Sequence, residues 1–168
     1  FVLSASHAGR FASEQTKRLL LVNTHHTALD ALLNQKALMA KNRGIDIQFR
    51  VNDLSAVTIN LVDLTVIISN TLDNAIEACE KLPAADRQIY VQLLLEDGEL
   101  LYGVRNRTLP VDLLPDRLPA TTKEDPSYHG YGLQNVQTTL KKYHSVYALN
   151  YENGWFEFST DFLNTSIS

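Results

Sequence analysis

The stretch ISNTLDNAIEAC, residues 68–79, places two asparagines four positions apart in a run that otherwise follows the pattern of a buried helix. On such a helix Asn70, Asn74 and Glu77 share one side, and the apolar residues share the other. The apolar residues are Ile68, Leu72, Ala75, Ile76 and Cys79. A polar helix face is most often simply turned to water. Asparagine is a poor helix former, however, so two of them in mid-helix favour a ligand site.

Length and charge narrow the classes of protein that fit. A chain of 168 residues, 45% of them apolar, is long enough for one packed core with an appendage. The 15 basic and 19 acidic side chains form no block of one sign, so the sequence predicts no nucleic-acid partner.

The single cysteine, Cys79, excludes an internal disulfide and suits a reducing compartment, so a cytoplasmic location is expected. No apolar run approaches the roughly 18 residues that a membrane-spanning helix needs. Any link to a membrane would therefore run through segments that this chain does not contain.

The order of periodic patterns predicts an α+β domain behind a helical arm. Residues 1–43 are expected to form the arm, which ends before Gly44, and residues 44–168 form the domain. Alternation after Gly44 predicts a strand, and a helix is expected over residues 63–81. Two hairpins, with turns at Asp97-Gly98 and Asn153-Gly154, bring the number of strands to five.

A proline-rich connection separates the two hairpins. Residues 107–129 contain four of the five prolines, and their apolar residues follow no regular spacing, which predicts a loop or lid. It leads to Gly130 and Gly132, and a helix that begins at Gly132 would offer unpaired N–H groups to an anion. Taken alone, such a glycine pair is more often an ordinary loop-to-helix turn. Asparagine oxygens suit Mg²⁺ when phosphates supply the negative charge, so together the motifs indicate a metal–phosphate site.

Three stretches resemble the catalytic ATP-binding domain of sensor histidine kinases, within the GHKL ATPases that also include gyrase and MutL. They are NTLDNAIEA, TTKEDPSYHGYGLQNV and KKYHSVYALNYENGWFEFSTDF, and the likeness covers about residues 45–163. The stretches LDALLNQKALMAKNRGI and VRN are similar to the quorum-sensing and citrate-type sensor kinases. The resemblance implies the Bergerat fold, a two-layer α/β sandwich with a mixed sheet covered on one face by helices.

The resemblance also implies roles for the two asparagines. NTLDNA matches the N box, which makes Asn74 the Mg²⁺ ligand that bridges the ATP phosphates. Asn70 occupies the catalytic position where hydrolytic relatives carry a glutamate that activates water. An amide has no useful basicity, so Asn70 would preserve ATP for transfer rather than hydrolyse it.

The stretch HGYGL matches the glycine box that closes over the phosphates. The resemblance therefore assigns nucleotide contacts to His129, Gly130, Gly132 and Leu133. Lys123 could reach the phosphates from the lid, although a lysine exposed to solvent is an equally good interpretation.

Two departures from the family pattern affect the nucleotide site. The Asp-x-Gly box that usually follows the second core strand is absent, and Asn106 stands nearest to its place. Its amide could accept the hydrogen bond from adenine, or it could cap a turn at the strand end. Ser145 occupies a position where the family often has glycine.

None of the five histidines lies in the setting of a phosphoacceptor, so the acceptor is expected upstream of this chain. They are His7, His25, His26, His129 and His144. The expected protein is the cytoplasmic part of a membrane-anchored histidine kinase that uses ATP and Mg²⁺ and phosphorylates a response regulator. It would form a homodimer through its N-terminal helices. An inactive docking scaffold of the same fold and an anti-sigma-factor serine kinase remain the alternatives.

Overall fold

The computed structural model describes the backbone of residues 21–110 and 126–167, and in the second range it describes side chains from Gly132 onward. The described helices are α1 (Thr27–Asn42), α2 (Leu61–Glu80) and α3 (Pro126–Lys141), with a 3₁₀ turn at Ala84–Asp86. The strands are β1 (Asp46–Val51), β2 (Gln88–Glu96), β3 (Glu99–Arg107), β4 (Tyr147–Glu152) and β5 (Trp155–Leu163). The α+β class and the five strands expected from the sequence are confirmed.

The five strands form one mixed sheet in the order β1-β2-β3-β5-β4. Strands β1 and β2 are parallel because α2 crosses over between them, and the remaining neighbours are antiparallel. Both predicted turns close hairpins: Asp97 and Gly98 have φ of 51° and 79°, and Asn153 and Gly154 also have 51° and 79°. These residue types accept the left-handed backbone that a tight turn requires.

One face of the sheet carries the core and the other is open. Side chains that alternate along β2 and β3 are buried beneath the helices, among them Ile89, Leu93 and Val104. The opposite face carries polar and aromatic side chains and an open groove of about 720 Å³, lined in part by Tyr90 and Arg105. Of the predicted site residues whose side chains are described, none lines this groove. The functional surface is therefore expected on the helical side.

Helix α1 belongs to the core of the domain. Leu29, Leu33, Ala37 and Ala40 are fully buried in the same cluster as the sheet residues. The helix ends at Asn42, as Gly44 predicted. The described part of the predicted arm thus packs on the domain that follows it, and its role in dimerisation stays a prediction.

The predicted start of α3 was wrong. The helix begins at Pro126, six residues before Gly132. Proline suits the first helical position because its φ is fixed near the helical value and its missing N–H would have no partner there. The predicted loop over residues 107–129 is consequently shorter at both ends, since Arg107 lies in β3 and residues 126–129 lie in α3. Residues 111–125 lie outside the described residues.

Candidate functional site

Helix α2 turns its apolar side to the sheet and keeps Asn70, Asn74 and Glu77 together on another side. All the residues predicted for the apolar side are buried, and Leu64, Ile67 and Thr71 widen it. Asn70, Asn74 and Glu77 are each only partly exposed. The three polar side chains therefore border packed structure and are not fully solvated, which argues against an ordinary water-facing surface.

Gly132 of α3 lies directly against Asn70 of α2. A Cβ atom added at Gly132 would lie 3.3 Å from Asn70 Oδ1. The Nδ2 group of Asn70 donates a hydrogen bond of 2.7 Å to the Val66 carbonyl oxygen, which holds the amide in place. The structure thus brings the asparagine motif and the glycine motif into contact, although they are 62 positions apart in the chain.

Asp63 fixes the crossing of α2 and α3. Its carboxylate accepts hydrogen bonds from Tyr143 Oη at 2.6 Å and from Lys142 Nζ at 2.9 Å. Burial alone would raise the pKa of Asp63, but these hydrogen bonds and the charge of Lys142 outweigh it and hold the pKa below its usual value. This clamp was not predicted from the sequence, because a single aspartate near a helix start is ordinary.

A second buried contact joins α2 to the sheet. Thr71 Oγ1 and Tyr102 Oη are hydrogen-bonded at 2.7 Å, and Thr71 also donates to the Ile67 carbonyl. Burial raises the pKa of Tyr102, with only a partial offset from the Thr71 hydrogen bond. Because Thr71 lies next to Asn70, this contact fixes the rotation of α2 and therefore the direction of its polar side.

Asn106 lies near the end of β3 on the face that carries the helices. It is 2% exposed and pairs in register with Ile89 of β2 and Phe156 of β5. Its Nδ2 group donates to the Arg107 carbonyl oxygen at 3.1 Å, and Cys79 Sγ contacts the same oxygen at 3.4 Å. Asn106 is thus beneath the C-terminal half of α2, within the strand and not in a turn after it.

The remaining predicted residues are the two glycines, Leu133, Lys123 and His129. Gly130 and Gly132 lie inside α3, beyond its first turn, so in a regular helix their N–H groups are used by intrahelical bonds. The expectation of free N–H groups at a helix start there was wrong for the same reason as the predicted start. Leu133 is 5% exposed and packs in the core. Lys123 lies outside the described residues, and of His129 only the helical backbone is described.

A family model described as "GHKL domain" matches residues 59–162, which is more than half of the chain. The chain belongs to the GHKL domain family. The match includes α2, α3 and strands β2 to β5, and therefore both motifs of the candidate site. Among curated proteins, no sequence matches this chain.

Solved structures support the same fold. The catalytic domain of the histidine kinase ThkA, in a nucleotide-free form, superimposes with a TM-score of 0.65 at 14% identity, covering 86% of this chain and 96% of that one. A second nucleotide-free form gives 0.63 at 15% identity, covering 86% and 94%. The Acinetobacter baumannii histidine kinase AdeS gives 0.52 at 10% identity, covering 81% and 64%. At these identities the likeness establishes the fold of histidine kinase catalytic domains.

The site of this GHKL domain fits a nucleotide that brings its own metal ion. Within residues 21–110 and 132–167, no three acidic, histidine or cysteine side chains converge to hold a metal. Asparagine oxygens alone are weak ligands, but they suit Mg²⁺ that phosphates already neutralise. The absence of a side chain at Gly132 lets α3 approach Asn70 closely. These residues therefore fit Mg²⁺ and phosphates bound together.

The membrane attachment expected from the resemblance stays a prediction. In the described part of the chain, no helix has the length and apolar character to cross a bilayer.

Proposed function

We propose that this GHKL domain binds ATP with Mg²⁺ and transfers the γ-phosphoryl group to a histidine outside the chain. The observation that carries the proposal is the contact between Gly132 and Asn70 Oδ1. It supports the proposal because the glycine motif then lies beside the helix that carries Asn74, the proposed metal ligand. We infer that Asn106, which lies beneath the C-terminal half of the same helix, contacts adenine.

The residues of the chain would act by positioning. Asn74 would supply an oxygen ligand to Mg²⁺, which, when bound, neutralises charge on the β- and γ-phosphates. The imidazole nitrogen of the acceptor forms a bond to the γ-phosphorus as the bond from that phosphorus to the bridging oxygen breaks, and ADP leaves with the electron pair. Asn70 is a neutral amide that already donates to Val66, so it offers no base to activate water. Transfer is therefore favoured over hydrolysis.

The described histidines support an acceptor elsewhere. His26 caps α1, with its Nδ1 atom accepting from the Leu29 N–H group at 3.3 Å. His25 and His144 occupy left-handed turn positions with φ of 61° and 53°. We infer that the acceptor lies upstream in a dimerisation helix, and that a response regulator receives the phosphoryl group. We also propose that the chain is a cytoplasmic part of a membrane-anchored sensor that is similar to the quorum-sensing and citrate-type kinases.

The test is a binding titration of Mg²⁺–ADP with the wild type, Asn74→Ala and the matched control Asn150→Ala. Asn150 is an exposed asparagine on β4, so its replacement should leave binding unchanged. Asn74→Ala should lower the affinity at least tenfold, because even outer-shell partners of a metal contribute about that much.

A wild-type protein that binds neither ADP nor ATP would instead favour the docking scaffold. If ADP binds, phosphohistidine formation in a longer protein that includes the upstream helix tests transfer. Phosphoserine on an added partner would favour the anti-sigma-factor kinase.

A further inference from the structure

Glu77 is an acidic residue of the candidate site that the proposed chemistry does not use. It follows Asn70 and Asn74 at seven and three positions along α2, so the three side chains form one row. The nearby acidic residues of the same helix form ion pairs: Asp73 pairs with Lys36 at 2.6 Å, and Glu80 pairs with Arg43 at 2.8 Å. Among the residues that the structure describes, the Glu77 carboxylate has no such ion pair.

The position is unfavourable for a negative charge. Burial, followed by the charges of Glu80 and Asp73, raises the pKa of Glu77 to about 7, and Lys81 and Arg43 offset only part of this. A glutamine at this site would avoid that cost with the same shape. A partly buried carboxylate that has no ion pair with any described residue, and that lies in line with a proposed metal ligand, would be stabilised by a bound cation.

The reach of the side chain suits a metal held by Asn74. Residues three apart on a helix have Cβ atoms about 5–6 Å apart, and glutamate is longer than asparagine by one methylene. Mg²⁺ normally keeps several of its waters and takes few protein ligands. A carboxylate one turn from the ligand can therefore accept hydrogen bonds from metal-bound water.

We propose, on the basis of the nucleotide site proposed above, that Glu77 binds waters of the Mg²⁺ held by Asn74 and repels nucleotide that carries no metal. Glu77 is then a positioning residue that sets the metal requirement of the site. With metal, its charge attracts the complex. Without metal, the same charge faces the bare phosphates.

The experiment measures ADP affinity with Mg²⁺ and with a chelator, for the wild type, Glu77→Gln and the control Glu80→Gln, at a pH well above 7 so that Glu77 is ionised with or without the charge of Glu80. The control removes the same charge from the same helix, one turn further on, where the side chain is 39% exposed and paired with Arg43. Glu77→Gln should weaken Mg²⁺–ADP binding about tenfold, as expected for an outer-shell partner. It should strengthen metal-free ADP binding about fivefold, which is the effect of removing one like-charge pair about 4 Å apart in water. Glu80→Gln should leave the ratio of the two affinities unchanged.

A second variant, Glu77→Lys, should bind metal-free ADP more tightly than the wild type does. Thermal unfolding should show that both variants are folded, and Glu77→Gln should be at least as stable as the wild type because a costly charge is removed. Equal changes of both affinities, or wild-type binding that ignores Mg²⁺, would overturn the role of Glu77 while leaving the nucleotide site in place. A wild type that binds no nucleotide at all would overturn the proposed function and this inference with it.

Discussion

Replacing Gly132 by alanine tests the contact that assembles the site. In the interior of a helix, glycine is about 1 kcal/mol less favourable than alanine, so Gly132→Ala should by itself stabilise α3 by that amount. The new Cβ atom, however, would lie 3.3 Å from Asn70 Oδ1, and that amide must move away. Movement weakens the 2.7 Å hydrogen bond from Asn70 to Val66, which contributes about 1 kcal/mol. The two effects should cancel, leaving the stability of the variant close to that of the wild type.

The same substitution should behave differently once Asn70 is shortened. In an Asn70→Ala background, the nearest remaining atom is the Cβ of residue 70 at 3.8 Å, which is an ordinary contact. Gly132→Ala should then realise its full gain of about 1 kcal/mol. A double-mutant cycle by urea denaturation should therefore give a coupling energy of about 1 kcal/mol. Additive effects of the two substitutions would show that α2 and α3 do not approach at these residues.

Two further substitutions test the Asp63 clamp and the proposed adenine contact. Asp63→Asn should lower the free energy of unfolding at neutral pH by about 2 kcal/mol, since it weakens charged hydrogen bonds from Lys142 and Tyr143. Because the folded pKa of Asp63 is lowered, its contribution is present above its ordinary value of 3.8 and is lost as the pH falls through the folded value. Urea denaturation at several pH values should show the two proteins converging in acid, and a constant difference would refute the clamp. Asn106→Ala should weaken ADP binding but leave the binding of Mg²⁺–pyrophosphate unchanged, because the proposed contact is with adenine. Calorimetric titrations measure both affinities, and equal losses for the two ligands would count against that contact.

The sequence by itself determined the strands, the turns and the polar row on α2. Alternation of apolar residues and the pairs Asp97-Gly98 and Asn153-Gly154 depend on neighbours in the chain, and the structure confirms all five strands. Asn70, Asn74 and Glu77 share one side of α2 because helical spacing requires it. The predicted start of α3 was wrong because Pro126, whose fixed φ suits a first helical position, begins the helix, and the glycine pair lies inside it.

Only the tertiary structure decided what the polar row faces. The clamp from Asp63 to Tyr143 and the hydrogen bond from Thr71 to Tyr102 join residues 80 and 31 positions apart, and no local pattern encodes such pairs. They set the crossing of α2 and α3 and the rotation of α2, and so bring Gly132 close enough to Asn70 that a Cβ atom there would lie 3.3 Å from the amide oxygen. Packing likewise placed Leu133 in the core and Asn106 beneath α2, because burial depends on which surfaces meet and not on the residues adjacent in sequence.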